Sequence, residues 1–153
     1  MPFHTAVISW YRNDVPFSDN RYHRSHQWTF DGGITVPASA SPHVVPVPLS
    51  DPSAVDPEEA FVASISGCHM LWFLSIAARR GFIVETYRDE AEGEMGKISS
   101  GKMAMTRVRL NPKVVYAGGS RPSGEEEAGM HQQAHENCFI ANSVNTEITV
   151  HPV

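Results

Sequence analysis

Residues 56–80 read Asp-Pro-Glu-Glu-Ala-Phe-Val-Ala-Ser-Ile-Ser-Gly-Cys-His-Met-Leu-Trp-Phe-Leu-Ser-Ile-Ala-Ala-Arg-Arg, and this stretch decides the fold. Asp56 can cap a helix, Pro57 suits its first position, and Glu59 completes a capping box. Arg79 and Arg80 face the negative end, and Gly81 ends the element. Ala60 to Ala78 holds 19 residues without Asp, Glu, Lys or Arg, nearly enough to span a bilayer. Ser64, Ser66, Gly67, His69 and Ser75 interrupt it, so the expectation is a helix buried inside a soluble protein or dimer. Phe61, Ile65, Cys68, Trp72 and Ile76 follow helical spacing along one stripe. The helix is apolar nearly all round, and one sheet covers only one face. A second copy covering the other face would explain this, so a homodimer centred on the helix is expected.

Upstream, His4–Trp10, Arg24–Phe30 and Ile34–Val36 read as strands, with a turn at Asp31-Gly32-Gly33. Residues 37–57 hold six prolines and read as a long ordered loop. Downstream, Phe82–Glu94 and Lys102–Tyr116 read as two long strands joined through Gly96–Gly101. Ala117–Gly124 is a linker, Glu125 to about Asn137 a polar helix, and Thr146–Val150 a closing strand. The expected class is α+β, with antiparallel sheets around a long buried central helix and residues 1–153 forming one domain.

The chain of 153 residues carries a net charge of -5 and has no Lys/Arg block, which argues against a nucleic-acid partner. Two cysteines are too few for a disulfide-stapled secreted scaffold. The first residues lack a basic segment with an apolar core, so a cytoplasmic location is expected, with no membrane partner. No phosphate-cradling Gly loop, Ser elbow or dinucleotide fingerprint occurs.

The chemistry then rests on thiols and imidazoles. Cys68 is either a small buried hydrophobe or a reactive thiol. It lies some three turns past the cap, too far for the helix dipole to help a thiolate unless Ser66-Gly67 breaks the helix. His131, His135 and Cys138 share one helical face with a spacing that suits Zn²⁺ or a related ion, with Glu136 or His69 as a fourth ligand. That leaves open a non-enzymatic metal- or small-molecule-binding domain. Arg12, Arg21 and Arg24 cluster near the first strands, and an arginine suits a neighbouring thiolate because its charge is fixed.

Taken in order, Tyr22–Trp28, Phe30–Gly33, Ser39–Pro42, Asp56–Ser64, Ser66–Leu71 and Ala134–Val144 resemble the OsmC/Ohr family of thiol peroxidases, in its OsmC-like subgroup. The resemblance implies an OsmC-like fold and an intertwined homodimer with sites at the subunit interface. It implies a peroxidatic Cys68, a resolving Cys138, and a Glu58 carboxylate paired with an arginine that controls the thiolate. Arg24 is the best match for that arginine, with Arg21 and Arg12 as alternatives. The implied activity is reduction of organic hydroperoxides, and of hydrogen peroxide as a second substrate, through a Cys68 sulfenic acid and a Cys68–Cys138 disulfide. Phe61, Ile65, Trp72 and Phe73 would shape an apolar entrance. A dithiol, of lipoyl type in the Ohr branch, would restore the thiols, and no metal or organic cofactor is required. A straight helix separates Glu58 from Cys68 by roughly 15 Å, so the helix must bend or Arg24 must bridge the gap.

Overall fold

The computed structural model describes residues 1–153, which form two compact units, Met1–Ala60 and Phe61–Val153. In the first, β1 (Ala6–Ser9), β2 (His26–Phe30) and β3 (Thr35–Ala38) form an antiparallel sheet in the order β1-β2-β3. Pro37 is tolerated because β3 is an edge strand, where a missing N–H costs no ladder bond. The proline-rich segment is shorter than its proline count suggests, because Pro37 belongs to β3 and Pro57 opens α1 (Pro57–Arg79). What orders the loop is a set of buried serines. Ser39 Oγ accepts from Asp51 N at 2.9 Å, and Ser50 Oγ donates to Val45 O at 2.6 Å. Ser39 N also donates to Val55 O at 3.0 Å, next to a parallel bridge between Ala38 and Val55.

The α1 start is as the sequence predicts. Glu59 N donates to Asp56 Oδ1 at 2.8 Å, and Asp56 N donates back to Glu59 Oε1 at 3.2 Å. The helix then runs unbroken to Arg79, so Ser66-Gly67 starts no new turn at Cys68. By length and composition α1 could cross a membrane, and in this structure it packs one face into the interior of its unit. That face differs from the expected stripe. Ile65, His69, Phe73, Ile76 and Ala77 are the buried residues, whereas Cys68 and Trp72 are only half-buried. The buried stripe turns through His69 and Phe73 because both meet the second helix, a contact that α1 alone cannot specify.

In Phe61–Val153 the two expected long strands are each divided. β4 (Ile83–Asp89) pairs with β7 (Pro112–Ala117), and β5 (Glu92–Lys97) pairs with β6 (Met103–Leu110), all antiparallel. The register is continuous across the break, since Asp89 faces Pro112 and Glu92 faces Arg109. These four strands are therefore one long hairpin with a waist. Asp89 makes the waist: its Oδ2 accepts from Ser66 Oγ at 2.5 Å and its Oδ1 from Asn111 N at 2.6 Å. Those bonds tie the strand to α1 and take up a backbone donor of the ladder.

At the hairpin tip Gly101, at φ 83°, supplies the left-handed residue that follows the turn. Gly93 has another reason. A Cβ there would lie 2.5 Å from both Val62 and Met105 side-chain carbons, so only glycine lets the hairpin approach α1 so closely.

The second helix, α2 (Gly124–Asn137), starts one residue earlier than predicted because Ser123 is its cap, in a full capping box with Glu126. β8 (Glu147–Val150) runs parallel to β6, with Arg107 opposite Glu147. A parallel partner is reachable because α2 lies in the connection. One core cluster joins Phe73, Ile76 and Ala77 of α1 with Tyr116, Met130 and Ala134. A second joins Ile65 to Val108 and Leu110. The α+β architecture with two α-helices and several antiparallel sheets is thus present, with β6–β8 as a parallel strand pairing.

Candidate active site

The two cysteines, 70 positions apart in sequence, meet where α1 and α2 pack. Both are free thiols, Cys68 half-buried and Cys138 buried. Burial first, and then the neighbouring Cys68 thiol, push the Cys138 thiol above its ordinary pKa and hold it protonated. The contact follows from local structure at both ends. Cys68 sits mid-helix beside the buried face. Cys138 is the C-cap of α2, where a short 3₁₀ turn (Ala141–Ser143) folds back and Ala141 N donates to its Sγ at 3.4 Å. Trp72 and Phe139 flank the junction edge-on, with ring centroids 5.5 Å apart.

Beside the sulfurs lies an imidazole pair. His69 Nε2 and His131 Nδ1 are 3.0 Å apart, the rings are 6° from parallel, and His131 stacks on Phe73 at 4.2 Å. His131 Nε2 faces Glu127 Oε1 at 3.7 Å. A carboxylate there favours a proton on His131 Nε2. His131 Nδ1 is then the acceptor and His69 Nε2–H the donor, which leaves a lone pair on His69 Nδ1, buried without a partner. Burial, then the nearby His135, drive His69 down to about 4, with Asp89 opposing. Burial, then His69, drive His131 to about 4 as well. Both rings are neutral at pH 7.

This pair escaped the sequence reading, which treats His69 and His131 mainly as metal ligands. The structure corrects the metal reading: no three His, Cys, Asp or Glu side chains converge on a common point, so His131, His135 and Cys138 form no metal cage, with or without Glu136. Their shared helical face is used instead to meet α1. A signal was present in the sequence for His69, which stands in an otherwise apolar helix stripe, but not for His131, whose helical neighbours include Glu127 and His135.

The other expected residues are dispersed. Ile65 is 1% exposed and Phe73 0%, so neither lines an entrance; they are core. Phe61 and Trp72 are half-buried and keep surface to offer.

Within Met1–Ala60, Arg24 lies over the Tyr22 ring, 3.6 Å from its centroid. It donates to Tyr22 O, to Asn20 O at 3.1 Å and to Asn20 Oδ1 at 3.2 Å. It makes no ion pair with Glu58, whose Oε2 is buried without a hydrogen-bond partner. Arg12 instead bonds Val15 O at 2.9 Å and lies 3.8 Å from Asp14. Around Arg24, the rings of Trp10, Phe17, Tyr22 and His26 line a cavity of 500 Å³.

Residues 50–152 match the family model described as OsmC-like protein, a span that takes in Glu58, Cys68 and Cys138 but not Arg24. The chain belongs to the OsmC/Ohr family. Among solved structures it is similar to an OsmC-like protein of unknown function from Vibrio cholerae, at 55% identity over 100% of both chains and a TM-score of 0.98. It also resembles an organic hydroperoxide resistance protein from Elizabethkingia anophelis, at 16% identity over 100% and 98% of the two chains and a TM-score of 0.72. The organic hydroperoxide resistance protein OhrB of Bacillus subtilis is similar at 15% identity over 99% and 98%, with a TM-score of 0.70. At 16% and 15% identity these two likenesses are of fold. No curated protein matches the chain.

Proposed function

We propose that the protein is a cysteine-based peroxidase for organic hydroperoxides. The observation that supports this most is the pairing of a half-buried thiol with a buried, protonated one across two helices. The resistance to organic hydroperoxides named for proteins of the same fold points the same way.

In this reading the Cys68 thiolate attacks the terminal peroxide oxygen. The O–O bond breaks, the alcohol leaves after taking a proton, and Cys68 becomes a sulfenic acid. Cys138 then attacks that sulfur and water departs, leaving a Cys68–Cys138 disulfide. A dithiol, of lipoyl type by family resemblance, reduces it by exchange. The two electrons come from the sulfurs, so the cycle needs no cofactor. Hydrogen peroxide is the smaller, second substrate. Phe61 and Trp72 present the apolar surface for an alkyl group.

Arg24 is assigned to stabilise the thiolate and Glu58 to position it, and the unpartnered Glu58 Oε2 is the feature that favours a cationic partner for that carboxylate. Arg24 would then exchange its Asn20 bonds for Glu58. A cytoplasmic homodimer acting as one domain, with α1 at its centre, is part of the same proposal. Leu71, on α1 and 65% exposed, is the kind of surface a second copy would cover.

The test is a titration of the reduced protein with tert-butyl hydroperoxide and with hydrogen peroxide, both cysteines being mapped by mass. One Cys68–Cys138 disulfide per equivalent, formed faster with the organic peroxide, is the expected result. Unmodified thiols after excess peroxide would end the proposal.

A further inference from the structure

The cavity around Arg24 has a chemistry of its own. Its wall belongs wholly to Met1–Ala60 and encloses 500 Å³. Aromatic rings make most of it and brace one another. Phe17 stacks on Tyr22 with centroids 4.6 Å apart, and Trp10 meets Tyr22 edge-on at 5.5 Å. Phe17 is still 51% exposed, so these rings present surface rather than fill a core.

We propose that this cavity is a binding site for an aromatic carboxylate, with Arg24 anchoring the carboxylate and Trp10, Phe17 and Tyr22 holding the ring. The polar groups of the wall decide the charge of the ligand. Trp10 Nε1 donates to His23 O at 2.9 Å. His26 Nε2 accepts from Trp28 Nε1 at 3.0 Å, which puts the ring proton on Nδ1, where it bonds Arg24 O at 2.8 Å. Ser39 Oγ donates to Ala40 O at 3.1 Å and accepts from Asp51 N at 2.9 Å. These three groups are engaged within the protein.

The guanidinium is different. It lies over the Tyr22 ring and makes three bonds, all to neutral acceptors: Tyr22 O, Asn20 O and Asn20 Oδ1. An arginine has five N–H donors, so at least two stay free, and Arg24 makes no ion pair. A half-buried cation without a counter-ion, set in an aromatic wall, is complementary to an anionic head on a flat apolar body. A lone guanidinium balances a monoanion. A phosphate monoester carries close to two charges and would leave one of them unpaired against the rings. An organic cation would be repelled by Arg24.

The site uses neither cysteine and so goes beyond the peroxidase reading. The two meet at one residue, because a carboxylate bound to Arg24 competes with Glu58 for the same guanidinium.

The test is calorimetric titration of the reduced full-length protein with 2-naphthoate, beside 2-naphthylmethanol and 2-naphthylmethylammonium, which keep the ring and change the head. The carboxylate should bind once per chain and at least about tenfold more tightly than either analogue, as a charge-assisted hydrogen-bonded pair requires. Arg24→Gln should abolish that preference, and Arg24→Lys should recover only part of it, having charge without the fork. Phe17→Ala removes an exposed ring and should weaken the carboxylate and the alcohol alike by about threefold or more. Circular dichroism of each variant reads misfolding separately. No binding of 2-naphthoate, equal binding of the three heads, or a carboxylate preference that survives in folded Arg24→Gln overturns the site. Cys68→Ser should bind 2-naphthoate as wild type does. Thiols left unmodified by tert-butyl hydroperoxide, with 2-naphthoate binding intact, overturn the peroxidase reading and leave this site standing. Normal peroxide consumption without 2-naphthoate binding does the reverse.

Discussion

Helices α1 and α2 carry one cysteine each and solve opposite problems. α1 is apolar, and its thiol sits in mid-helix, half-buried, beside a fully buried face. α2 is polar, with Glu125, Glu126 and Glu127 in its first turn and only Met130, His131 and Ala134 buried, and it places its thiol at the C-cap. A mid-helix position gives Cys68 a rigid backbone and an outlet toward solvent. A C-cap position lets the chain turn back over Cys138 and enclose it. The difference teaches that two chemically identical side chains acquire unequal surroundings from placement alone: one keeps a partly exposed thiol, the other is enclosed and its pKa is raised by burial.

The sharpest way to break this comparison is to exchange each sulfur for oxygen. Cys68→Ser should abolish hydroperoxide consumption. Cys138→Ser should still consume one equivalent and then accumulate sulfenic or overoxidised Cys68, seen by trapping and mass measurement. Equal loss in both variants would mean that the sulfurs are not ordered as first and second.

The next effect is on stability. Phe73 is fully enclosed and stacks on His131, so Phe73→Ala should cost about 3–5 kcal/mol in urea unfolding. Trp72, its half-buried neighbour, should cost clearly less on the same change. Similar losses would contradict the assignment of the buried stripe to Phe73.

A smaller effect is set by pH. His69 and His131 titrate near 4 when folded, against an ordinary 6.5, so the unfolded chain takes up protons first as the medium is acidified. The stability contributed by the neutral pair is therefore complete above about pH 6.5 and lost as the pH falls toward about 4. Unfolding midpoints measured along that range should fall in wild type and fall less in His131→Asn. Identical acid limbs would show that the pair is not the titrating element.

The smallest effects are at the caps. Asp56→Ala and Ser123→Ala should each cost about 1 kcal/mol, because each removes one side of a reciprocal capping box. A null effect at Ser123 beside a full effect at Asp56 would show that α2 is held by its packing rather than by its start.

Much of this was legible in sequence where the cause is local. The Asp56-Pro57-Glu58-Glu59 start, the Gly81 stop and the hairpin tip at Gly101 depend on residues within a few positions of one another. The waist of the hairpin was not legible, because it depends on Asp89 reaching Ser66 and Asn111. The expected stripe through Cys68 and Trp72 missed by one position on the helix. An all-round apolar helix has no preferred face until a neighbour selects one. The metal reading failed for a related reason: spacing along α2 says which side chains share a face, but not that α1 brings His69 up to engage His131 Nδ1 directly.

By itself the sequence determined the family, the two helices and the caps, and it singled out Cys68 and Cys138 as the pair to look for. Only the tertiary structure decided that Cys68 and Cys138 meet, which of them is enclosed, and that His69 and His131 are partners rather than ligands. The physical reason is range. Propensities, caps and turns are settled by neighbours in the chain, whereas a thiol's ionisation and an imidazole's tautomer are settled by burial and by groups some sixty or seventy residues away, which no local pattern records.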